Sequence, residues 1–415
     1  MLACAIATPS GIPILEAGVN LRERGILVVT CVGHFLSHYN MLVFPPLVLP
    51  LSQRLGLSLG QTLELSFWQY LLFGVSALPW GLLADRLGAK PLLMVFFLGA
   101  GLCGLGAAFS LDNPAQLSLC LAGIGLFSGI YHPAGLGLIA RGVERLSLGM
   151  AYNGIFGNLG LAAAPLLTGL ANYLWGPASA YLVLAAFNFS GLVFMSRYAL
   201  EEPERPREPE ARQVRSYLAP FLVLLLAMML GGIAYRGSSV TMPAYFELKI
   251  SGLVAWLHGW WPGGPTGNLV ATLLTAASYL VGAVGQYVGG RVGERWDPRY
   301  GYLTFHALTI PAVLAMAFLG EVPLFLAAMV YLFFLLGMQP MENTLVARLS
   351  PPALKHSAYG TKFILTFGVG SLAVKVVGGV DQAWGIDKVF LLLAAIGLGI
   401  VGVVSLLLRV TRSRA

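Results

Sequence analysis

Long apolar runs broken by short polar turns fill almost the whole chain. A run of about 20 apolar residues crosses some 30 Å of hydrocarbon as a helix, since each residue rises about 1.5 Å. Runs of that kind fall near 25–49, 62–84, 91–110, 115–140, 147–173 and 178–198. Six more follow near 217–246, 268–290, 300–319, 322–345, 358–380 and 385–408. The stretch between the two sets, RYALEEPERPREPEARQVRS at 197–216, holds five arginines and five glutamates among prolines, so it has little to bury in a bilayer. The pattern predicts an all-α polytopic membrane protein of twelve transmembrane helices. Its units are a tail at 1–24, a six-helix bundle at 25–198, a connector at 199–216, a second bundle at 217–408 and a tail at 409–415.

Composition strengthens this reading. Hydrophobic residues make up 57% of the chain and charged residues 10%, well under half the charge of a typical soluble domain. The 51 glycines suit helices that pack closely in lipid. A net charge of +7 raises the question of nucleic acid, but the basic residues stand singly between apolar runs, which excludes a basic patch. Their placement instead reports topology. With the first residues in the cytoplasm, nineteen basic residues fall in cytoplasmic segments and three (Arg54, Lys249 and Lys388) fall outside. That puts both tails and the connector inside. Residues 1–20 lack a basic start and read as a cytoplasmic tail or surface helix, not a signal peptide. The cysteines, Cys4, Cys31, Cys103 and Cys120, show no ligand spacing and read mainly as small buried hydrophobes. An outer loop at 248–268, containing WLHGWWPGGPTGN, suits the headgroup layer or a cover over a cavity mouth.

The clearest motif is GLLADRLGAK at 81–90, at the cytoplasmic end of the second run. A weaker copy, QYVGGRVGER at 286–295, follows the eighth, so the chain carries an internal repeat of about 200 residues. Gly81 permits close helix contact, and Asp85, with Arg86 and Gly88 in the turn, can pair across the halves as a latch. Arg291 and Glu342 are the matching candidates in the second half. The plain alternative is a tight basic turn that only fixes topology. The motif and the six-plus-six layout resemble the major facilitator superfamily of secondary transporters. The second copy departs from the pattern, with Gly290 in the acid's place and Gln286 in the first glycine's. Four stretches look closest to the fosmidomycin-resistance-like exporters of that superfamily: GHFLSHYNMLVFPPLVLP at 33–50, GLFSGIYHPAGLGLIAR at 125–141, NGIFGNLGLAAAPLLTG at 153–169, and the segment 337–372. The resemblance implies two pseudo-symmetric bundles that move small solutes, often with protons.

Ionisable groups at membrane depth are costly, so they are the first candidates for a transport route. His34 and His38 are four apart and share a helix face. They suit proton or substrate contact, structural hydrogen bonding, or a transition metal; a pair with no acid near it in sequence carries no metal assignment. Tyr131, His132 and Pro133 lie in the fourth run, where proline frees a backbone carbonyl. His132 can line a cavity or bond a neighbouring helix. Asn153 faces cavity or helix, and Asn158 is expected to pack. Tyr235 and Arg236 interrupt the seventh run, and a buried guanidinium needs a carboxylate, carbonyls or an anionic substrate. Gln339, Glu342 and Asn343 follow in the tenth, with Glu342 a latch acid or a partner of Lys362. Lys362 and Lys375 lie about 20 Å apart along one helix and cannot share a site; Lys375 is expected to be the deeper. Fixed positive groups outnumber buried acids, which favours an anionic or zwitterionic substrate.

These features give a secondary transporter of a small organic solute, working as a monomer in the inner membrane, without cofactor. Proton-coupled efflux is the preferred mode, with His34, His38 and His132 as proton carriers, and proton-coupled uptake is the alternative. From other classes, a membrane enzyme would need a nucleophile or metal motif such as HExxH or GxSxG, and none occurs. A receptor would more naturally carry a soluble output domain.

Overall fold

The computed structural model describes residues 20–144, 146–202, 218–349 and 355–411, and all regular structure among them is helical. Eleven segments are long and apolar enough to cross a membrane: Leu21–Leu55, Leu59–Ala84, Ala89–Ala108, Pro114–Gly142, Tyr152–Trp175, Pro177–Arg197, Leu218–Lys249, Gly267–Arg295, Glu321–Val346, Gly360–Trp384 and Asp387–Thr411. A further helix, Pro298–Met316, takes ninth place, its hydropathy lowered by Arg299, Tyr300 and His306. In chain order these are spans one to twelve. The tail at 1–19, the connector from 203 to 217 and the last residues, 412–415, lie outside the described residues, as does the side chain of Asp85.

Local sequence sets the span ends. Asn20 and Glu23 form a reciprocal cap at the start of span one, and the Glu23 carboxylate also accepts from the Glu144 amide at 2.7 Å. Asn113 before Pro114 and Asp297 before Pro298 pair a capping side chain with a proline that has no amide to satisfy. Hydrogen bonds from Arg299 hold the Asp297 carboxyl below its usual range. Arg299 also donates to the Thr411 hydroxyl at 2.7 Å, tying spans nine and twelve.

The packing repeats from half to half. Span two packs on four and three on six; likewise eight packs on ten and nine on twelve. With an even number of spans in each half, residues 20 and 411 and the ends flanking the connector share one membrane side. The halves meet where two lies against eleven and five against eight. Glycine makes this seam: a Cβ on Gly74 would collide with the Gly368 backbone, and one on Gly60 would stand 2.8 Å from the Gly378 carbonyl. On the side away from the termini, Asn268 joins the halves. It accepts from Asn172 at 2.9 Å and donates to the Pro46 carbonyl at 2.8 Å and to Glu247 at 2.7 Å.

The loop between spans seven and eight contains a helix, Ser251–Trp260, capped by the Glu321 carboxylate on the amides of Gly252 and Leu253 at 2.8 and 2.7 Å. Its Trp256 and Trp260, and the following Trp261, are exposed.

Regular geometry fails at the centre. Span one breaks into a 3-10 turn at Pro45–Leu47, span four restarts as a helix at Tyr131 beside Pro133, and span eleven opens into a π turn at Ile364–Gly368. Non-helical backbone at membrane depth is tolerated where protein surrounds it or a cavity adjoins it. These breaks surround the residues of interest.

Candidate functional site

The break in span four brings three imidazoles together. His34 and His38 project from one face of span one, and the restart of span four turns His132 toward them. One ring nitrogen from each lies within 4.8 Å of the others. The His34 and His38 centroids are 4.4 Å apart, His34 and His132 5.4 Å, and His38 and His132 5.5 Å. Tyr131 stacks on His34 at 5.0 Å and accepts a 2.6 Å bond from Asn153 Nδ2. The Asn153 carbonyl lies 2.8 Å from His34 Nδ1, so that nitrogen carries the proton and donates when the ring is neutral. Asn153 therefore positions both rings. Phe73, Phe363 and Phe367 surround His132 with centroids 4.9–5.7 Å away. The Nδ1 atoms of His38 and His132 are buried without a hydrogen-bond partner.

Arg236 stands across a narrow space from this cluster. That space, about 10 Å³ and room for about one water, is lined by His38, Phe73, Tyr235, Arg236 and Phe367, among others. The guanidinium lies 3.7 Å from the centroid of the Tyr70 ring, is 3% exposed, and leaves Nε unpartnered. The carboxylate that a buried arginine calls for is absent among the described residues; the face of a tyrosine takes its place. Tyr235 is farther, at 5.9 Å.

The second half treats its charges differently. Lys362 pairs with Glu342 at 2.8 Å and donates to Asn343 Oδ1 at 2.5 Å, while Tyr302 donates to the other Glu342 oxygen at 2.9 Å. Of the two readings of Glu342, the partner of Lys362 is the one the geometry shows. The two lysines differ in burial. Lys362 is 7% exposed, whereas Lys375 is exposed, its ammonium 4.5 Å over the Phe67 ring at the seam of spans two and eleven. Lys362 can be buried although it stands near the end of its span because a carboxylate faces it, which the order of residues along one helix did not reveal.

Asn158, expected to pack, instead donates to Gln286 across the halves, and Gln286 donates to Gln339 at 3.1 Å. Gln286, the departure in the second motif copy, is thus a polar bridge. In the first copy, Gly81 packs against Pro133 of span four, Arg86 is exposed, and Gly88 turns the chain with φ of 93°. The acid that serves this turn is Glu202, whose carboxylate accepts from the amides of Ala89 and Lys90 at 3.0 and 2.7 Å. Among the described residues, the partners of Arg291 are Tyr287 and Glu294 on its own helix. Sequence reasoning passed over Tyr70, Phe73, Phe363 and Phe367 because aromatic residues in an apolar run carry no mark of what they face.

Comparison with known proteins agrees with this architecture. The profile of the Major Facilitator Superfamily matches residues 30–374. The enterobactin exporters EntS of Citrobacter koseri and Escherichia coli are each 29% identical over 264 residues, covering 61% of this chain. The chain spans 59% of the length of those curated relatives. Among solved structures, a bacterial homolog of the human lysosomal transporter Spinster, inward-facing and unoccupied, aligns with a TM-score of 0.71 at 13% identity over 95% of this chain and 98% of that one. The peptide transporter POT in complex with sulfate aligns at 0.72 and 16%, covering 94% of each. At such identities the likeness concerns the fold.

Proposed function

This chain belongs to the Major Facilitator Superfamily, a multi-pass membrane transporter family, and on that premise we propose that it exports a small anionic or zwitterionic organic solute in exchange for protons. The observation that carries the reading is Arg236, a buried cation with no carboxylate beside it among the described residues, sharing one space with His38 of the three-imidazole cluster. A substrate anion supplies the missing counter-charge, and a histidine supplies a ring nitrogen that can take up and release a proton. Because Lys362 is already neutralised by Glu342, Arg236 is the cation left for substrate. Tyr131, Asn153, Tyr235, Gln339 and Asn343 are the polar groups nearest this route; Lys375 is set aside.

Export is favoured by the resemblance of 33–50, 125–141, 153–169 and 337–372 to fosmidomycin-resistance-like exporters and by the exporter relatives. The bias of basic residues favours cytoplasmic tails and connector, an inner-membrane location, and a far side that faces outward. On that orientation the Asn268 junction closes the outer entrance. The two bundles, 25–198 and 217–408, rock as pseudo-symmetric units of one monomer.

Efflux from proteoliposomes under an imposed pH gradient, with organic anions, sugars and cationic drugs as cargo, tests this. Concentrative movement of an anion should collapse with the gradient; movement that persists unchanged sinks proton coupling. Arg236→Gln should weaken anionic cargo by roughly tenfold or more, about 1.4 kcal/mol, and spare cationic cargo. An equal loss for every cargo counts against the anion site.

A further inference from the structure

The His34, His38 and His132 cluster has more coordinating capacity than its hydrogen bonds use. Three imidazoles meet in an aromatic pocket, and two of them bury Nδ1 with nothing to bond. Buried unpartnered polar atoms are uncommon because each forfeits its bond to water. One proton cannot satisfy three rings. A single ion accepting a lone pair from each ring removes the deficit at once.

We propose that His34, His38 and His132 bind a divalent transition ion of the borderline class, with Zn2+, Co2+ and Ni2+ as the ions that suit an all-imidazole set. The surroundings agree with this. His34 Nδ1 engages the Asn153 carbonyl, the outer hydrogen bond that fixes the tautomer of a ligating histidine and leaves Nε2 free to bind. The phenylalanines around His132 form an apolar shell that limits water. Hard, oxygen-preferring ions such as Mg2+ and Ca2+ find no carboxylate in the cluster.

The fit requires a modest contraction. Three ligands at about 2.0–2.1 Å on a tetrahedral ion stand about 3.3–3.4 Å apart, so nitrogens now within 4.8 Å close inward by small ring rotations. Three neutral rings leave the ion's charge uncompensated beside Arg236. Its open position, on the side of the shared space, therefore favours an anionic ligand. The proposal rests on the reading of the central site only in taking the rings to face that space.

Titration of the untagged full-length protein in detergent with Zn2+, and with Co2+ followed by its visible absorption, tests the site. One ion per chain is expected. His38→Asn and His132→Asn should each weaken Zn2+ binding by more than roughly 100-fold, beyond the loss from an outer partner alone. His258→Asn and His306→Asn, outside the cluster, should bind as the unaltered protein does. If the first two variants fail to fold, Gly157→Ala keeps every ligand and serves instead, because its Cβ would stand 2.5 Å from the His34 ring; a loss of roughly 10–100-fold is expected. Absence of stoichiometric binding, or binding indifferent to the cluster substitutions, overturns the proposal. Intact pH-driven efflux in a protein that binds no metal overturns the metal site and leaves the transport reading standing. Metal binding lost only in the cluster variants supports it whatever the efflux shows.

Discussion

The two halves accommodate buried ionisable side chains in opposite ways. In the second half, Lys362, Glu342, Asn343 and Tyr302 satisfy one another. In the first half, the three histidines face Arg236 of span seven with no acid among them, and ring nitrogens and a guanidinium nitrogen go without partners. Two halves that share a fold by internal repeat thus spend their polar residues differently. A closed set of charges holds helices in register; an open set has capacity left for a ligand. The difference separates structure from binding more sharply than depth or residue type does.

Breaking the closed set should have the largest effect. Glu342→Gln leaves a buried ammonium uncompensated and should destabilise the fold by about 3–5 kcal/mol, read by thermal or denaturant unfolding in detergent. Adding Lys362→Met should recover most of that loss. A double variant no better than the single one would show that the pair is not the source.

The bridge between halves comes next. Asn158→Leu removes the donor to Gln286, and the loss of one buried hydrogen bond should cost about 0.5–1.5 kcal/mol. The Gln286→Leu change made together with it should cost little more, because both ends of the bridge are then apolar. Additive losses would argue that the two residues act separately.

The smallest effect should come from the open set. Arg236→Met removes a partly unsatisfied cation and replaces it with an apolar chain of similar length. Stability should stay within about 1 kcal/mol of the parent or rise, while anion efflux falls. A large destabilisation would move Arg236 into the structural class and erase the contrast between the halves.

The fold was legible in the chain because the bilayer imposes one requirement on every span, a long apolar run, and twelve such runs were countable. Pro298–Met316 shows the margin of that rule, since Arg299 and His306 dilute its apolar character without preventing the helix. The site was legible in part. His34 and His38 share a face by spacing alone, and Arg236 announces itself by its cost at depth. That His132 joins them depends on the restart of span four, a tertiary consequence of Pro133 that no periodicity measures. That Lys362 is the more buried lysine was hidden for a related reason: position along a helix is readable, but the carboxylate that permits burial comes from another span. Glu202, which accepts from the amides of the turn after span two, arrives from beyond span six, outside the motif.

The π turn at Ile364–Gly368 gives span eleven a property its neighbours lack. It holds one residue more per turn than the α-helix on either side, and a residue amounts to about 100° of rotation. Shifting that surplus along the axis would swivel one end of the span relative to the other while leaving nearly all its backbone bonds made. Gly368 and Gly378, against span two, are fixed at one end; Lys362, bound to Glu342, is fixed at the other. Phe363 and Phe367, which cover His132, ride on the part between. Moving the surplus through that part would turn the aromatic wall beside the histidines, with no need to slide a whole helix through the bilayer.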